Sequence, residues 1–361
     1  MDSSQFFGIS SIAYILAMIA YISYLVFRNS TVGLIATTIT VIGFFSQTIA
    51  FFMRGKEFYD IGQMGILRAI PLTNLYESLV FFVWCIILAY LIIEFKYKNK
   101  SFGAFITPIA GMTLAFIDIS GVSKDIHPLI PALQSNWLLA HVTMSFLSYA
   151  AFAVAFGTAI MYLSLATDNK KSGSYLFWTI TLGIFLTILV AMGIDFLSFK
   201  ILARGPEEFI KNYLFKATFR NDSGVIVLFS YIGAMVLIFL VWKYGVILKR
   251  LLESFSISKE LLDDLTYKLI AIGFPVFTLG GLIFGAIWAD QAWGKYWSWD
   301  PKETWSLITW FVYAFYLHAR YLRGWRGTKV IIIAVIGFIS TVFTYLGVNL
   351  LLSGLHAYGG L

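Results

Sequence analysis

Cysteine is almost missing from this chain: among its 361 residues only Cys85 is one. That excludes an intramolecular disulfide, a CxxC redox pair and a thiolate-rich metal site. Cys85 lies in an apolar run, where a small packed side chain is the plain reading. Charge is scarce as well. Asp, Glu, Lys and Arg make up 12% of the residues against 59% hydrophobic ones, and the mean hydropathy is +0.82. A soluble domain carries about a quarter charged residues, so this composition excludes an ordinary soluble fold and points to a membrane protein. Internal repeats and low-complexity tracts are also missing. The first apolar run lacks the basic start and small-residue cleavage site of a secretory signal, and a second run follows almost at once.

What the chain has in quantity is hydrophobic runs long enough to cross about 30 Å of hydrocarbon as helices. Hydropathy predicts ten, at about 6–27, 32–53, 74–95, 102–118, 137–166, 174–199, 223–248, 267–289, 305–322 and 329–350. The fold class expected is all-α: a polytopic transmembrane helix bundle, one integral-membrane domain over 1–361. The fourth span holds Pro108 and Gly111 and is the candidate for a re-entrant or tilted helix. With the N-terminus outside, the inner connections carry 15 of the 26 basic residues, Lys96, Lys98, Lys100, Lys249 and Arg250 among them. That asymmetry satisfies the positive-inside rule and puts both termini on the outer side. The net charge of +7 is then a topology signal, and no nucleic-acid partner is expected. Two polar segments, 200–222 outside and 249–266 inside, read as solvated connectors. The second can begin a short interfacial helix that continues into the next span.

The four histidines are His127, His141, His318 and His356. Imidazole is a good axial ligand for heme iron, and two on opposite faces of the macrocycle give a six-coordinate site. His141 follows the start of the fifth span by four residues, roughly 6 Å below the outer interface. His356 lies just past the tenth span, also outside. A lone histidine at an interface is commonly a packed residue, but two at one level beside an aromatic loop favour a ligand pair. His318 lies roughly 20 Å from the outer surface, near the inner leaflet. Its competing reading is an interhelical hydrogen bond. With no other histidine at that depth, a second ligand to iron there comes from another polypeptide. His127 reads as a solvated loop residue.

Trp288, Trp293, Trp297, Trp299, Trp305 and Trp310 are six of the 11 tryptophans, within 23 residues. Interfacial anchoring is one use of tryptophan. This density, with glycine and charge interleaved over 290–304, also suits a slot for a flat apolar macrocycle held by dispersion and stacking. Trp293, Gly294, Lys295, Tyr296, Trp297, Trp299, Asp300 and Trp305 are its candidate cradle, with Lys295 and Lys302 placed to meet two propionates. Asp300-Pro301-Lys302-Glu303 has its own local reading as a helix start, with Asp at the N-cap, Pro at N1 and Glu at N3.

At these residues, WGKYWSWDPKETW followed by ITWFVYAFYLHAR, the chain resembles the WWD heme-handling proteins of cytochrome c biogenesis. Within that group it is most similar to the CcsA, or ResC, branch of System II. PLTNLYESLVFFVW (71–84), LIPALQSNWLLAHV (129–142), GFPVFTLGGLIFGAIWA (273–289) and GVNLLLSGLHAYG (347–359) carry the rest of the likeness. The resemblance implies that, with a CcsB- or ResB-type membrane partner, the protein exports heme b (iron protoporphyrin IX) and attaches it to apocytochrome c. By position, His141 and His356 become the outer axial ligands, and His318 an inner ligand whose second histidine the partner supplies. Proteins of a thiol-reducing pathway are possible further partners. One departure is the stretch 172–248, which reads as an extra transmembrane hairpin beyond the eight spans usual in the group.

The expected chemistry is a synthase acting by proximity. The histidine of an apocytochrome CxxCH segment displaces one axial ligand while its thiols add to the heme vinyls. Neither a covalent nucleophile nor a non-heme metal is required of this chain. The rival readings are a heme carrier of the CcmC kind, without synthase activity, and a structural membrane subunit whose tryptophans only anchor it. The expected location is the bacterial cytoplasmic membrane, or the thylakoid membrane if the protein is plastid-encoded.

Overall fold

A computed structural model describes residues 2–62, 71–126, 135–202 and 213–352. His127 and His356 lie outside the described residues. Among those described there are twelve α-helices and no strand: α1 (Ser3–Phe27), α2 (Ser30–Gly62), α3 (Leu75–Tyr97), α4 (Gly103–Ile119), α5 (Asn136–Ala166), α6 (Gly173–Phe196), α7 (Gly224–Glu253), α8 (Lys259–Phe277), α9 (Gly285–Trp293), α10 (Pro301–Tyr321), α11 (Thr328–Val342) and α12 (Val348–Leu351). A π-helical segment, Thr278–Phe284, fuses α8 and α9 into one rod, and Phe343–Gly347 joins α11 to α12 in the same way. Nine helical units among the described residues are long and apolar enough to cross a membrane. The tenth member of the bundle is α10, whose hydropathy is lowered by Lys302, Glu303, His318 and Arg320.

Local sequence explains where the helices start. Side chains of Asn74, Ser135, Ser172, Ser258 and Asp300 each accept a hydrogen bond from a first-turn amide, covering donors that the helix cannot satisfy itself. The fourth span is one continuous helix through Pro108, not a re-entrant one. Pro108 has no N–H to offer the carbonyl four residues back, but a single lost bond inside a packed bundle does not end a helix. The polar stretch after α7 turns at 254–258. It then enters α8 at Lys259 and continues into the span, as its amphipathic pattern predicts.

The core is built around α5, whose most apolar window is 83% buried, whereas no residue of α7's most apolar window is buried. Phe152 of α5 stacks on Tyr313 of α10 at 3.8 Å, and Thr158 shares a hydrogen bond of 2.8 Å with Thr266 of α8. The hairpin α6–α7 leans on α4 and α5. Its connecting turn is pinned by the fully buried Asp195, which accepts from the amides of Phe215 (2.6 Å) and Ala217 (2.8 Å), and Tyr213 donates its amide to the Ile119 carbonyl (2.8 Å).

Among the described residues the ion pairs fall at the two ends of the bundle. At one end, called here the loop face, lie the start of α1, the end of α2, the starts of α3 and α5, and the tryptophan loop. Arg54 of α2 reaches Glu77 of α3 through Nε (3.2 Å) and Nη2 (3.1 Å) and donates to the Lys124 carbonyl at 2.7 Å. At the opposite face Arg320 of α10 pairs with Asp263 of α8 at 2.6 Å, and Lys249 pairs with Asp168 at 2.9 Å. Near that end Glu94 of α3 is buried and accepts hydroxyl donors from Tyr21, Tyr90 and Thr37, which lock α1, α2 and α3 together.

Candidate functional site

At the loop face the starts of α3, α5 and α10 and the end of the α8–α9 rod enclose an open-sided cavity of about 190 Å³. His141, Trp288, Tyr296, Trp297 and Lys302 all line it. Its other walls are the Leu72–Leu75 turn, Ser145, Phe146 and Tyr149 of α5, and Tyr345 and Asn349 from the end of the chain.

His141 is fixed by its surroundings. Its Nδ1 lies 2.7 Å from the Gly280 carbonyl, so Nδ1–H is the donor and, in the neutral ring, the lone pair is at Nε2. A backbone partner on one ring nitrogen, orienting the other, is the arrangement that metal-binding histidines use. The ring lies parallel to the indole of Trp288, 8° apart with centroids at 6.3 Å, and Trp293 meets Trp288 edge-on at 4.9 Å.

Glycine makes this approach possible. A Cβ at Gly280 would stand 2.3 Å from the Cβ of Met144, and one at Gly285 would stand 2.9 Å from His141 Nδ1 and Cε1. The π-helical segment that contains Gly280 and ends just before Gly285 widens the turn beside His141 (a recurrent device at functional sites), starting three residues after a proline, Pro275, inside α8.

The cavity also holds polar groups with different degrees of pairing. Lys302 sits over the Tyr345 ring at 5.3 Å, with Nζ 3.3 Å from Asn349 Oδ1. Ser145 Oγ and Trp297 Nε1 are buried without a hydrogen-bond partner among the described residues. Together the walls offer an oriented imidazole, flat indole faces, one ammonium and two unpaired polar atoms. That donor set suits a planar apolar ring with a metal centre and an anionic edge.

The rest of the predicted cradle has other placements. Asp300 is buried as the N-cap of α10, and Glu303 reaches back to the amides of Asp300 (3.3 Å) and Ser298 (2.7 Å), a reciprocal capping box. Trp305 packs on Phe343 at 4.1 Å, and Trp310 donates Nε1–H to Thr278 Oγ1 at 2.9 Å. Gly294, at φ +70°, ends α9 and turns the chain into the loop. Lys295 is exposed. Trp299 is 69% exposed at φ +58°, a left-handed backbone unusual for so large a side chain. Of the two lysines expected to meet an anion, only Lys302 lines the cavity.

His318 is elsewhere. It lies in the last turn of α10 on the helix's exposed side, in line with Ile308, Phe311, Phe315 and Leu322 at spacings of three and four. Arg320, two residues on, faces inward to Asp263.

The sequence profile of the cytochrome c assembly protein family matches residues 72–203 and 225–356, which include His141, the tryptophan loop and both helices of the 172–248 hairpin. The chain belongs to that family. Among its relatives is a cytochrome c biogenesis protein CcsA from Trieres chinensis, 36% identical over 365 residues, covering 100% of this chain and 97% of that protein. The CcsA proteins of Gloeobacter violaceus and Marchantia polymorpha are 37% and 38% identical over 297 and 298 residues, each covering 81% of this chain and 79% of theirs. This family member is therefore a CcsA-type integral membrane protein of cytochrome c biogenesis. Several walls of its cavity escaped the reading of histidines and tryptophans. Ser145, Tyr149 and Tyr345 carry no local motif. Gly280 and Gly285 stand in a glycine-rich run whose spacing signals close helix approach.

Proposed function

We propose that the loop-face cavity receives heme as cargo and presents it for covalent attachment to apocytochrome c, outside the membrane. The observation that carries this reading is the convergence of His141, Trp288, Tyr296, Trp297 and Lys302 on one cavity. His141 supplies one axial ligand through Nε2, and His356 the other. Indole faces hold the ring, and Lys302 meets a propionate. The thiols of a CxxCH segment then add across the vinyl groups. Each S–H bond breaks, one C–S bond forms, and the hydrogen goes to the neighbouring vinyl carbon, so the addition is redox-neutral. This chain contributes position and exclusion of water. The exposed aromatic edge formed by Tyr296 and Trp299 is where the apocytochrome docks.

A second, inner site is proposed at His318. An outward-facing histidine within an apolar stripe at spacings of three and four suits a helix of a CcsB-type partner, which supplies the second imidazole. Heme then passes from the inner site to the outer cavity.

Coexpression with only a CcsB-type partner and a cytochrome c separates synthase from carrier. Thioether-bound cytochrome is the expected product. Accumulation of non-covalent heme with no thioether product would assign the protein to heme delivery alone.

A further inference from the structure

A second and larger cavity, about 510 Å³, lies deeper in the bundle between α3, α4, α5, α6 and α11, and the buried turn after α6 roofs it with Leu214 and Phe215. Among the described residues no charged side chain or histidine lines it. Its threonine hydroxyls are turned away: Thr113 donates to the Ile109 carbonyl, Thr181 to that of Phe177 and Thr341 to that of Gly337, each at 2.9 Å. The walls therefore present hydrocarbon, chiefly Leu79, Phe116, Phe185 and Phe338.

Protein interiors rarely contain voids much larger than a water molecule, and an apolar void does not hold water. Three lining residues lie where an apolar occupant would enter. Ile184, Ile339 and Val342 are 47%, 49% and 41% exposed on the outer surface of the bundle, so the chamber opens sideways where the bilayer lies. Along α6 it runs from Thr181 to Met192, roughly 16 Å at the helical rise. That is about half the hydrocarbon thickness of a bilayer, the depth of a single leaflet. Heme fits poorly here, because its two carboxylates would meet no cation among the described lining residues.

We propose that this chamber is a built-in site for one acyl chain of a membrane phospholipid, entering between α6 and α11. Phe146, Tyr149 and Tyr345 line both this chamber and the loop-face cavity. A chain seated here braces the floor beneath His141 and Lys302. Lipid binding itself does not depend on the heme reading.

The test is native mass spectrometry of the full-length protein, after detergent washing strong enough to strip surface lipid. Wild type is expected to keep one phospholipid. Ile184→Trp plugs the mouth and Thr181→Phe fills the interior, and in both the adduct is expected to fall to background. Ile19→Trp, on the exposed side of α1, should leave it unchanged. Wild type without an adduct overturns the proposal whatever the variants do. So does equal retention in all four proteins, or an adduct with the mass of heme that the two chamber variants lose.

Discussion

At the scale of single residues, His141 depends on its neighbours more than on its own position in the sequence. The Gly280 carbonyl sets its tautomer, and Gly285 leaves room for its ring. Gly285→Ala therefore pushes a methyl group into the imidazole. Overpacking of that kind costs about 1–3 kcal/mol, and here the strain falls on the proposed ligand itself. The expected outcome is weakened heme retention and an altered absorption spectrum in the purified protein, with expression near normal. Gly224→Ala, where a Cβ meets nothing within 4 Å, should behave as wild type. Equal spectra for all three would show that the ring tolerates displacement. The histidine and tryptophan positions were legible in the sequence because imidazole and indole have specific uses. Ser145 was not, since only tertiary packing tells a small polar cavity residue from an ordinary one.

Helix ends and element contacts shape the cavity wall. The turn at 71–74 is held by Glu77, which accepts from the amide of Thr73 (2.8 Å) and its hydroxyl (2.9 Å) while pairing with Arg54. Both charged side chains are almost fully buried, and removing one partner of such a pair typically costs about 3–5 kcal/mol. Arg54→Met or Glu77→Gln should thus lower the thermal unfolding midpoint sharply. Arg54→Met with Glu77→Leu should recover part of it, and only part, because Thr73 and the Lys124 carbonyl lose partners too. A double variant no more stable than either single one contradicts this assignment. Element by element, the sequence was legible where hydrophobic runs and caps are local. Ten spans were expected, and among the described residues nine long apolar units plus α10 form the bundle. The capping box at Asp300 and Glu303 could be read directly from its spacing. The widened turn at 278–284 could not, because a π-helix has the composition of the helix around it.

Over the whole molecule, the two faces divide the histidines. His141 belongs to the loop-face cavity, while His318 faces outward near the other end of α10. Depth implies that, if His318 binds iron, the second histidine comes from another polypeptide, and on the proposed reading the exposed side of α10 is where that polypeptide docks. His318→Ala is expected to remove the inner heme from the complex with a CcsB-type partner while leaving partner association intact. Loss of association together with heme would make the stripe a structural interface only. The decisive measurement is the absorption spectrum of the purified complex, compared with that of the His141→Ala, His356→Ala double variant. Loss of the six-coordinate b-type signal of the outer site, with any inner signal retained, is the predicted result. An unchanged heme content and spectrum would contradict the assignment of the loop-face cavity as the site of heme presentation.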